Sequence, residues 1–596
     1  MKHFLRLLLL FPMLTGFDLR AQTFNANLAA MLQDSLDYYV NAIPNIKGMS
    51  AGVYLPGQGY WQGQSGDSYA GQPITADMEF GIASNTKLFV SATMLKLAED
   101  GLLSLDDSVS AWLPAHPYID SAITIRQLLN HTSGVSDPIF ASPWMDTINA
   151  NPTRVFTPQE VLSWLGPPVF APGASWSYSN VNYILAGMIA ETASGYSIAQ
   201  LIRDSLLTPL GLDSTFYDVA EPERGTLAHR WWNSVDYHDT ARTGLNSAGG
   251  CAGAIFSTAG EMCQWYHALF GGDVLQPASM TELTRFVPTT SSVMDYGLGL
   301  DRETTLGLTY WGHGGSTWGY RSKMIYDTCA QAVVCGLSNS FPSGMEAVTY
   351  ILYRVLVNQV PGCTGAISGP ATVCSKDAAQ VYTVPPIPNA TDYVWTLPAG
   401  FIGNSTTNTI QVYIDTSAVS GTISVHGTNA YGDGASVFFP VVVKRVPVSA
   451  SQSGNTVIAD SVADTYQWVD CGLGYMILPG DTSAVLHPSN DGDYALIATL
   501  DGCTDTSACV VFRHSGIATT SSAYIRIFPN PSPGACTISA PEPISSLRIT
   551  DSGGRILRSL RPDHPESRVD GLMPGFYIVH GELQNGRRFR EKLIVQ

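Results

Sequence analysis

Residues 79–87 read Glu-Phe-Gly-Ile-Ala-Ser-Asn-Thr-Lys, and an apolar helical run follows them. Ser84 precedes Lys87 by three residues, and no other lysine of the chain follows a serine at that spacing. Positions i and i+3 share one face of a helix, so the serine hydroxyl at the helix start has a lysine amine beside it. The amine can take the hydroxyl proton, and the helix N-terminus favours developing negative charge. The stretch predicts an activated serine, although a serine beside a surface lysine also fits.

A second polar stretch precedes another predicted helix. Residues 178–180 read Tyr-Ser-Asn, an apolar run follows at 184–190, and Gly195 is placed to end the helix. A tyrosine at the start of a helix can turn its hydroxyl toward a cleft. An ordinary half-buried aromatic residue would give the same pattern.

A third stretch lies on a predicted strand. Residues 313–316 read His-Gly-Gly-Ser after strand-forming residues at 308–312, and further strands are predicted around 324–326 and 332–334. Glycines on a strand permit close approach of the backbone to a neighbour such as a substrate. The alternative is a glycine-rich hairpin with an incidental histidine.

Together and in this order, the three stretches resemble the motifs of the serine β-lactamase and penicillin-binding-protein superfamily. The resemblance is to its branch of class C β-lactamases, D-alanyl-D-alanine carboxypeptidases and esterases, and it covers about residues 25–358. It implies an α/β domain: an antiparallel sheet with helices on both faces, plus a helical subdomain. The active site would lie between the two parts.

The resemblance implies acyl transfer through a covalent acyl-serine. Ser84 would be the nucleophile, and Lys87 would share its proton network. Tyr178 would act as general base toward Ser84 and later toward the deacylating water. The sequence leaves the choice of base between Lys87 and Tyr178 open. The backbone N–H groups of Ser84 and Ser316 would form the oxyanion hole.

The remaining motif residues are implied to bind the substrate. Asn180 would hold the acyl-side amide, and His313, Gly314 and Gly315 would line the site opposite the serine. True class C β-lactamases carry a lysine at the position of His313, where a fixed cation helps to hold the carboxylate of an antibiotic. Because histidine is only partly protonated near neutral pH, a peptide or ester substrate is predicted over efficient β-lactam hydrolysis.

The composition limits the partners. The chain has 596 residues and a net charge of −18, and only 13% of its residues are charged. The length indicates several domains. The negative net charge argues against nucleic acid or an anionic membrane as a partner. The 56 glycines and 27 tyrosines are typical of a folded, β-rich secreted protein.

The amino terminus is predicted to direct export. Residues 1–21 read as a signal peptide, with basic residues in the first six positions, an apolar core at 7–14 and a cleavage site at 19–21. The apolar core is too short to span a bilayer. No other segment is predicted to form a transmembrane helix.

Export makes the ten cysteines candidates for disulfides. Their spacings match no zinc pattern, so neither a metal nor another cofactor is predicted. The candidate groupings are Cys329 with Cys335 around a strand turn, Cys363 with Cys374 at the start of the next domain, two of Cys471, Cys503 and Cys509, Cys251 with Cys263, and an unpaired Cys536.

After about residue 360, short alternating segments separated by turn residues are typical of β-sandwiches. Residues 363–445 resemble PKD-like, immunoglobulin-type domains, and residues 446–514 are also immunoglobulin-like. Trp395 and Trp468 are predicted to be core residues, with glycan binding as the alternative. After a linker at 515–522, residues 523–596 resemble the C-terminal sorting domain of type IX secretion, whose machinery would be a partner.

The sequence thus predicts a secreted or cell-surface serine hydrolase at residues 22–358. Its substrate would be a peptide of the D-amino-acid or peptidoglycan type, an ester or a lactam, as in D-alanyl-D-alanine carboxypeptidases, D-aminopeptidases and esterases. The alternative is an inert surface scaffold whose immunoglobulin-like modules bind glycan or protein. The intact set of three motifs favours the hydrolase.

Overall fold

The computed structural model describes residues 23–139, 142–514 and 524–596. The predicted signal peptide and the predicted linker lie outside the described residues. The chain divides into two compact units, Met1–Lys444 and Arg445–Gln596. The first unit contains an N-terminal domain (residues 23–359) and a first β-module (residues 363–444).

An antiparallel sheet forms the centre of the N-terminal domain. The strands of this domain are β1 (Gly48–Leu55), β2 (Gly59–Tyr69), β3 (Gln72–Pro73), β4 (Phe80–Gly81), β5 (Phe216–Tyr217), β6 (Trp231–Trp232), β7 (Val235–Asp236), β8 (Ile255–Ser257), β9 (Val287–Pro288), β10 (Met294–Tyr296), β11 (Asp301–Thr305), β12 (Leu308–Thr317), β13 (Tyr320–Asp327), β14 (Ala332–Ser338) and β15 (Ser340–Phe341). Its nine-stranded sheet has the order β3-β2-β1-β14-β13-β12-β11-β10-β9.

Helices cover this sheet and build a second lobe beside it. They are α1 (Ala26–Ala42), α2 (Thr86–Glu99), α3 (Ile125–Leu129), α4 (Ser142–Ala150), α5 (Pro158–Leu162), α6 (Asn180–Ser194), α7 (Ile198–Ile202), α8 (Thr208–Leu210), α9 (Thr243–Gly249), α10 (Ala259–Gly271), α11 (Pro277–Leu283) and α12 (Met345–Gln359). As predicted, Gly195 ends α6, and its φ of 78° is in the left-handed region.

The two faces of the sheet bury different helices, because successive strand residues point to opposite sides. On β14, Ala332 and Val334 belong to the apolar cluster that contains α1 and α12. Val333, Cys335 and Leu337 belong to the cluster that contains α2, α6 and α10. The predicted sheet with helices on both faces and a helical lobe is confirmed, and α2 lies at the centre of the larger core.

The first β-module is fixed to the N-terminal domain. Its strands are β16 (Thr372–Cys374), β17 (Gln380–Thr383), β18 (Asp392–Thr396), β19 (Phe401–Ile402), β20 (Thr409–Ile414), β21 (Gly421–Asn429), β22 (Gly432–Asp433) and β23 (Val437–Lys444). A disulfide joins Cys329 to Cys363. The Gln58 side chain donates a hydrogen bond of 2.7 Å to the Tyr431 carbonyl, and Asn25 donates one of 3.0 Å to Ala430.

In the described residues of the second unit, all of the helices and strands assigned are β-strands. A second β-module contains β24 (Ala450–Ser453), β25 (Thr456–Ala459), β26 (Thr465–Asp470), β27 (Met476–Ile477), β28 (Val485–Leu486), β29 (Gly492–Leu500), β30 (Cys503–Thr506) and β31 (Val510–Phe512). A C-terminal β-module contains β32 (Arg526–Phe528), β33 (Ala535–Ser539), β34 (Ile544–Asp551), β35 (Ile556–Leu560), β36 (Glu566–Asp570), β37 (Gly575–Leu583) and β38 (Arg588–Val595).

The cysteines correct part of the prediction. Cys251 and Cys263 are both free and buried, because their side chains occupy different places. The Cys251 sulfur lies against Gly187 of α6, whereas the Cys263 sulfur lies against Gly52 of β1.

Further cysteine assignments follow from the fold. The predicted groupings of Cys329 with Cys335 and of Cys363 with Cys374 are both wrong, because Cys329 pairs with Cys363. Cys335 is a free thiol inside the core. In the second unit, Cys471 pairs with Cys509. Cys536 is free, as predicted.

Candidate active site

Ser84 lies in a single 3₁₀ turn, Ala83–Asn85, that leads directly into α2. Ala83 holds a left-handed φ of 49°, a conformation that costs a non-glycine residue about 1–2 kcal/mol. Ala83 and Asn85 are buried, while Ser84 between them is partly exposed. The turn therefore presents one hydroxyl to solvent at the start of a helix that is otherwise buried.

Lys87 is completely buried beside this hydroxyl. Its Nζ lies 3.0 Å from Ser84 Oγ, 2.9 Å from Asn180 Oδ1 and 2.7 Å from the Ala252 carbonyl oxygen. Burial lowers the pKa of Lys87 to about 7, although the charge of Asp137 and that of Asp301 oppose this shift.

The contacts of Lys87 define where a proton can move. A lysine ammonium has three N–H donors, whereas the neutral amine has two donors and one lone pair. The Asn180 oxygen and the Ala252 carbonyl can only accept. In the neutral amine they take both N–H groups, so the lone pair faces the Ser84 hydroxyl. This geometry suits a general base for Ser84.

Tyr178 also lies beside Ser84 and Lys87. Its ring centroid lies 4.9 Å from Lys87 Nζ. Burial raises the pKa of Tyr178 well above its usual value of 10.0, and a hydrogen bond with Ser84 only partly opposes the increase. The Tyr178 hydroxyl is therefore protonated across the physiological pH range.

Asn180 links this site to a carboxylate that the sequence motifs did not include. It is the first residue of α6, and Asp137 accepts hydrogen bonds of 3.1 Å from its backbone N–H and 2.8 Å from its Nδ2. A carboxylate at a helix N-terminus is favourable. Asp137 fixes the carboxamide with its oxygen toward Lys87. After these contacts, the Asn180 carboxamide still has one N–H donor and one oxygen lone pair for a ligand.

His313 is buried on β12 and engages protein at both ring nitrogens. Its Nδ1 lies 2.5 Å from the Gly314 carbonyl, and its Nε2 lies 3.0 Å from the Tyr296 hydroxyl. A carbonyl only accepts, so Nδ1 carries a proton, and in the neutral ring Nε2 then accepts from the Tyr296 hydroxyl. Burial and the nearby Lys87 lower the pKa of His313 to about 3. The expectation of a partly protonated histidine is thus corrected: it is neutral.

The glycines of β12 have different surroundings. A Cβ at Gly315 would lie 2.2 Å from both the Ile82 carbonyl oxygen and Ser322 Oγ, whereas the nearest atom to a Cβ at Gly314 is 3.9 Å away. The close approach that the sequence predicted at these glycines is therefore made by the protein itself. Gly315 brings β12 against the segment that precedes Ser84, and Ser316 lines the cavity beside Ser84.

A histidine under the site supports the tyrosine. His131 is fully buried, and its Nδ1 lies 3.0 Å from Asn182 Nδ2. Its ring centroid lies 4.3 Å from that of Tyr178. Burial lowers the pKa of His131 well below its usual value. His131 is therefore a buried, hydrogen-bonding histidine that packs directly against Tyr178.

A cavity of about 320 Å³ opens beside Ser84. Asn180 and Ser316 contribute to its wall, and the rest of the wall is mainly apolar. No group of side chains in the described residues is arranged to hold a metal ion. No helix among them has the length and apolar character needed to cross a membrane.

Of the two tryptophans in the β-modules, Trp468 is completely buried. Trp395 is partly buried, packs against the core of the first β-module and donates its indole N–H to the Thr407 carbonyl. Both therefore serve as packing residues, as predicted.

Three family models match the chain. Residues 36–359 match the Beta-lactamase family, residues 360–441 a PKD-like domain, and residues 526–596 a secretion system C-terminal sorting domain. The last match identifies the chain as cargo of type IX secretion, which delivers it to the cell surface or beyond it.

Two curated proteins are similar to part of the chain. Penicillin-binding protein 4* of Bacillus subtilis is 30% identical over 280 residues, and Esterase EstB of Burkholderia gladioli is 32% identical over 245 residues. The matches cover 43% and 38% of this chain, and 59% and 57% of those proteins. The chain thus spans less than two thirds of the length of these curated relatives.

A solved structure is similar as well. The D-amino acid amidase from Ochrobactrum anthropi SV3, complexed with L-phenylalanine amide, is 27% identical with a TM-score of 0.51. That match covers 56% of this chain and 99% of the amidase.

Proposed function

The chain belongs to the beta-lactamase family, and on this premise we propose that it is an exported serine hydrolase that works through an acyl-serine intermediate. The observation that carries the proposal is the set of contacts at Lys87. A buried amine with a pKa of about 7 lies 3.0 Å from a partly exposed serine hydroxyl. Its other two contacts are fixed acceptors.

In the proposed acylation step, neutral Lys87 takes the proton of Ser84 while Ser84 Oγ attacks the substrate carbonyl. The backbone N–H groups of Ser84 and Ser316 stabilise the oxyanion, and one such donor is worth roughly 3 kcal/mol. Tyr178 supplies a proton to the departing oxygen or nitrogen and regains one from the Lys87 ammonium. Water then attacks the acyl-serine. Tyr178 takes a proton from the water and passes its own to Lys87, and the Lys87 ammonium returns a proton to Ser84 Oγ as the acyl group leaves.

We propose an amide or ester without a carboxylate as the substrate, because His313 is neutral. Amides and esters are also the substrate classes in the names of the amidase and esterase relatives. A β-lactam antibiotic and a terminal D-alanyl-D-alanine both carry a carboxylate. The β12 strand offers such a group no fixed cation, because the pKa of His313 is lowered to about 3.

We assign the hydrolase to residues 22–358 and the sorting domain to residues 523–596. The modules at 363–445 and 446–514 are proposed as spacers, with glycan binding as their second role. The first spacer is held by the Cys329–Cys363 disulfide, so it would move together with the hydrolase.

The test is hydrolysis of p-nitrophenyl acetate by the whole chain, with acid quenching and intact-mass measurement. We expect release of p-nitrophenol and an acetyl adduct on the wild type. Ser84→Ala should retain less than about 1% of the rate and form no adduct. Ser110→Ala, on the surface of the same domain, is the matched control. Activity retained in Ser84→Ala would refute the nucleophile, and an inactive wild type would favour the inert scaffold.

A further inference from the structure

The cavity beside Ser84 has an apolar wall drawn from several separate segments. Its large side chains come from α4, from α9, from β6 and β15, and from the turn between β12 and β13. They are Trp144, Met145, Leu245, Trp232, Phe341 and Trp318. Among the described residues that line the cavity, none is ionisable. Its chemistry therefore differs from that of the buried charges around Lys87.

Aromatic rings form one side of this wall. The Trp232 ring centroid lies 4.5 Å from that of Phe341 and 6.4 Å from that of Trp318. All three side chains are only partly buried. Aromatic side chains bury large apolar areas and contribute strongly to the energy of an interface. This surface is therefore suited to an apolar or aromatic group of a ligand.

The position of the cavity indicates which half of the substrate binds in it. Ser84, Asn180 and Ser316 line it, whereas Tyr178 and His313 do not. Under the proposed mechanism Tyr178 protonates the leaving group, so the leaving group lies on the Tyr178 side. The acyl half of the substrate then extends into the cavity.

The size of the cavity limits the acyl group. A cavity of about 150 Å³ is enough to hold benzene, and the cavity here measures about 320 Å³. It has room for a phenyl or indole group together with a short linker.

We propose that this enzyme selects acyl groups with a bulky, uncharged aromatic or branched apolar substituent, which the cavity formed by Trp232, Trp318, Phe341 and their neighbours binds. The inference rests on the proposed function, because it assigns the substrate class of the same serine. The substituent is recognised by apolar contact, and a charged substituent is excluded because no counter-ion lines the wall.

The test uses p-nitrophenyl esters, which share one leaving group and differ only in the acyl part. The series is acetate, butyrate, 3-phenylpropionate and hemisuccinate. We expect kcat/KM for the phenylpropionate to exceed that for the acetate by about tenfold or more, since a good apolar contact is worth at least that factor. The hemisuccinate should be slower than the butyrate.

Variants then assign the preference to the cavity. Trp318→Ala should lower the ratio of the phenylpropionate to the acetate rate by about tenfold, and Phe341→Ala provides a second, independent change. Trp112→Ala is the matched control, because Trp112 lies in the same domain outside this cavity. It should leave the ratio unchanged.

The outcomes separate the two proposals. Equal kcat/KM across the wild-type series, or a preference for the hemisuccinate, would overturn the substrate class while leaving the hydrolase intact. Hydrolysis that survives Ser84→Ala would instead overturn the hydrolase mechanism. The wild-type series requires no substitution, so the substrate class is tested even if a tryptophan variant does not fold.

Discussion

Replacing Asp137 by asparagine should move the pH dependence of the reaction to lower pH. Burial lowers the pKa of Lys87, and the Asp137 charge raises it, with the result near 7. Removing that charge leaves the burial effect less opposed, so the pKa falls further. Because neutral Lys87 is the proposed base, activity rises with pH through this pKa, and the rise should begin earlier in the variant.

The magnitude follows from the separation of the charges. The Asn180 carboxamide lies between them, with contacts of 2.8 Å to Asp137 and 2.9 Å to Lys87. Two unit charges roughly 8 Å apart at an effective dielectric constant of about 20 interact by ~2 kcal/mol. At 1.36 kcal/mol per unit, the inflection should fall by about 1.5 pH units, from about 7 toward 5.5. Asparagine keeps the size of the side chain and an oxygen that accepts from the Asn180 N–H.

The assay is kcat/KM for a neutral ester between pH 4.5 and 9, because this quantity reports the pKa values of the free enzyme. Asp34→Asn removes an exposed charge on α1 and is the control. Burial also raises the pKa of Asp301 to about 7. The Lys87 charge lowers the pKa of Asp301, so a Lys87 that loses its proton more easily would move the Asp301 titration upward. A downward displacement of the inflection therefore assigns the titration to Lys87. An inflection that stays at the wild-type pH, or moves upward, would refute the reasoning.

Three further substitutions test the site, the packing behind it and the disulfide to the first β-module. Tyr178→Phe should lower kcat by roughly 10²–10⁴-fold while keeping the inflection near pH 7, because Lys87 sets it; a lost inflection in the pH profile would make the tyrosine the base. Gly315→Ala should lower the melting temperature and the rate together, since its Cβ would meet the Ile82 carbonyl; a wild-type melting curve would contradict this packing. Cys363→Ser should reduce stability to denaturant by about 3–4 kcal/mol, the loop-closure value for a separation of 34 residues; an unchanged midpoint would mean that the link is dispensable.

The contact between Ser84 and Lys87, the fold class and the sorting domain could be predicted because their signals are local. Ser84 and Lys87 are one helical turn apart, so their contact follows from spacing. Asp137 could not be found in this way, since it precedes its partner Asn180 by 43 residues. Tyr296 was missed for the same reason: only the pairing of strands brings it to His313. The proposed Cys251–Cys263 pair was wrong because both side chains point into separate parts of the core.

The neutral histidine and the apolar cavity lead independently to the same kind of substrate. His313 has its Nε2 occupied by Tyr296 and its Nδ1 by a carbonyl, so the strand that lines the site supplies no cation. Lys87 is the only cation in contact with Ser84 among the described residues, and it must lose its charge to act as the base. A substrate carboxylate would stabilise the Lys87 ammonium and raise its pKa, which would remove the base at neutral pH. An uncharged acyl group avoids this penalty, and the aromatic wall beside Ser84 provides it with apolar contact.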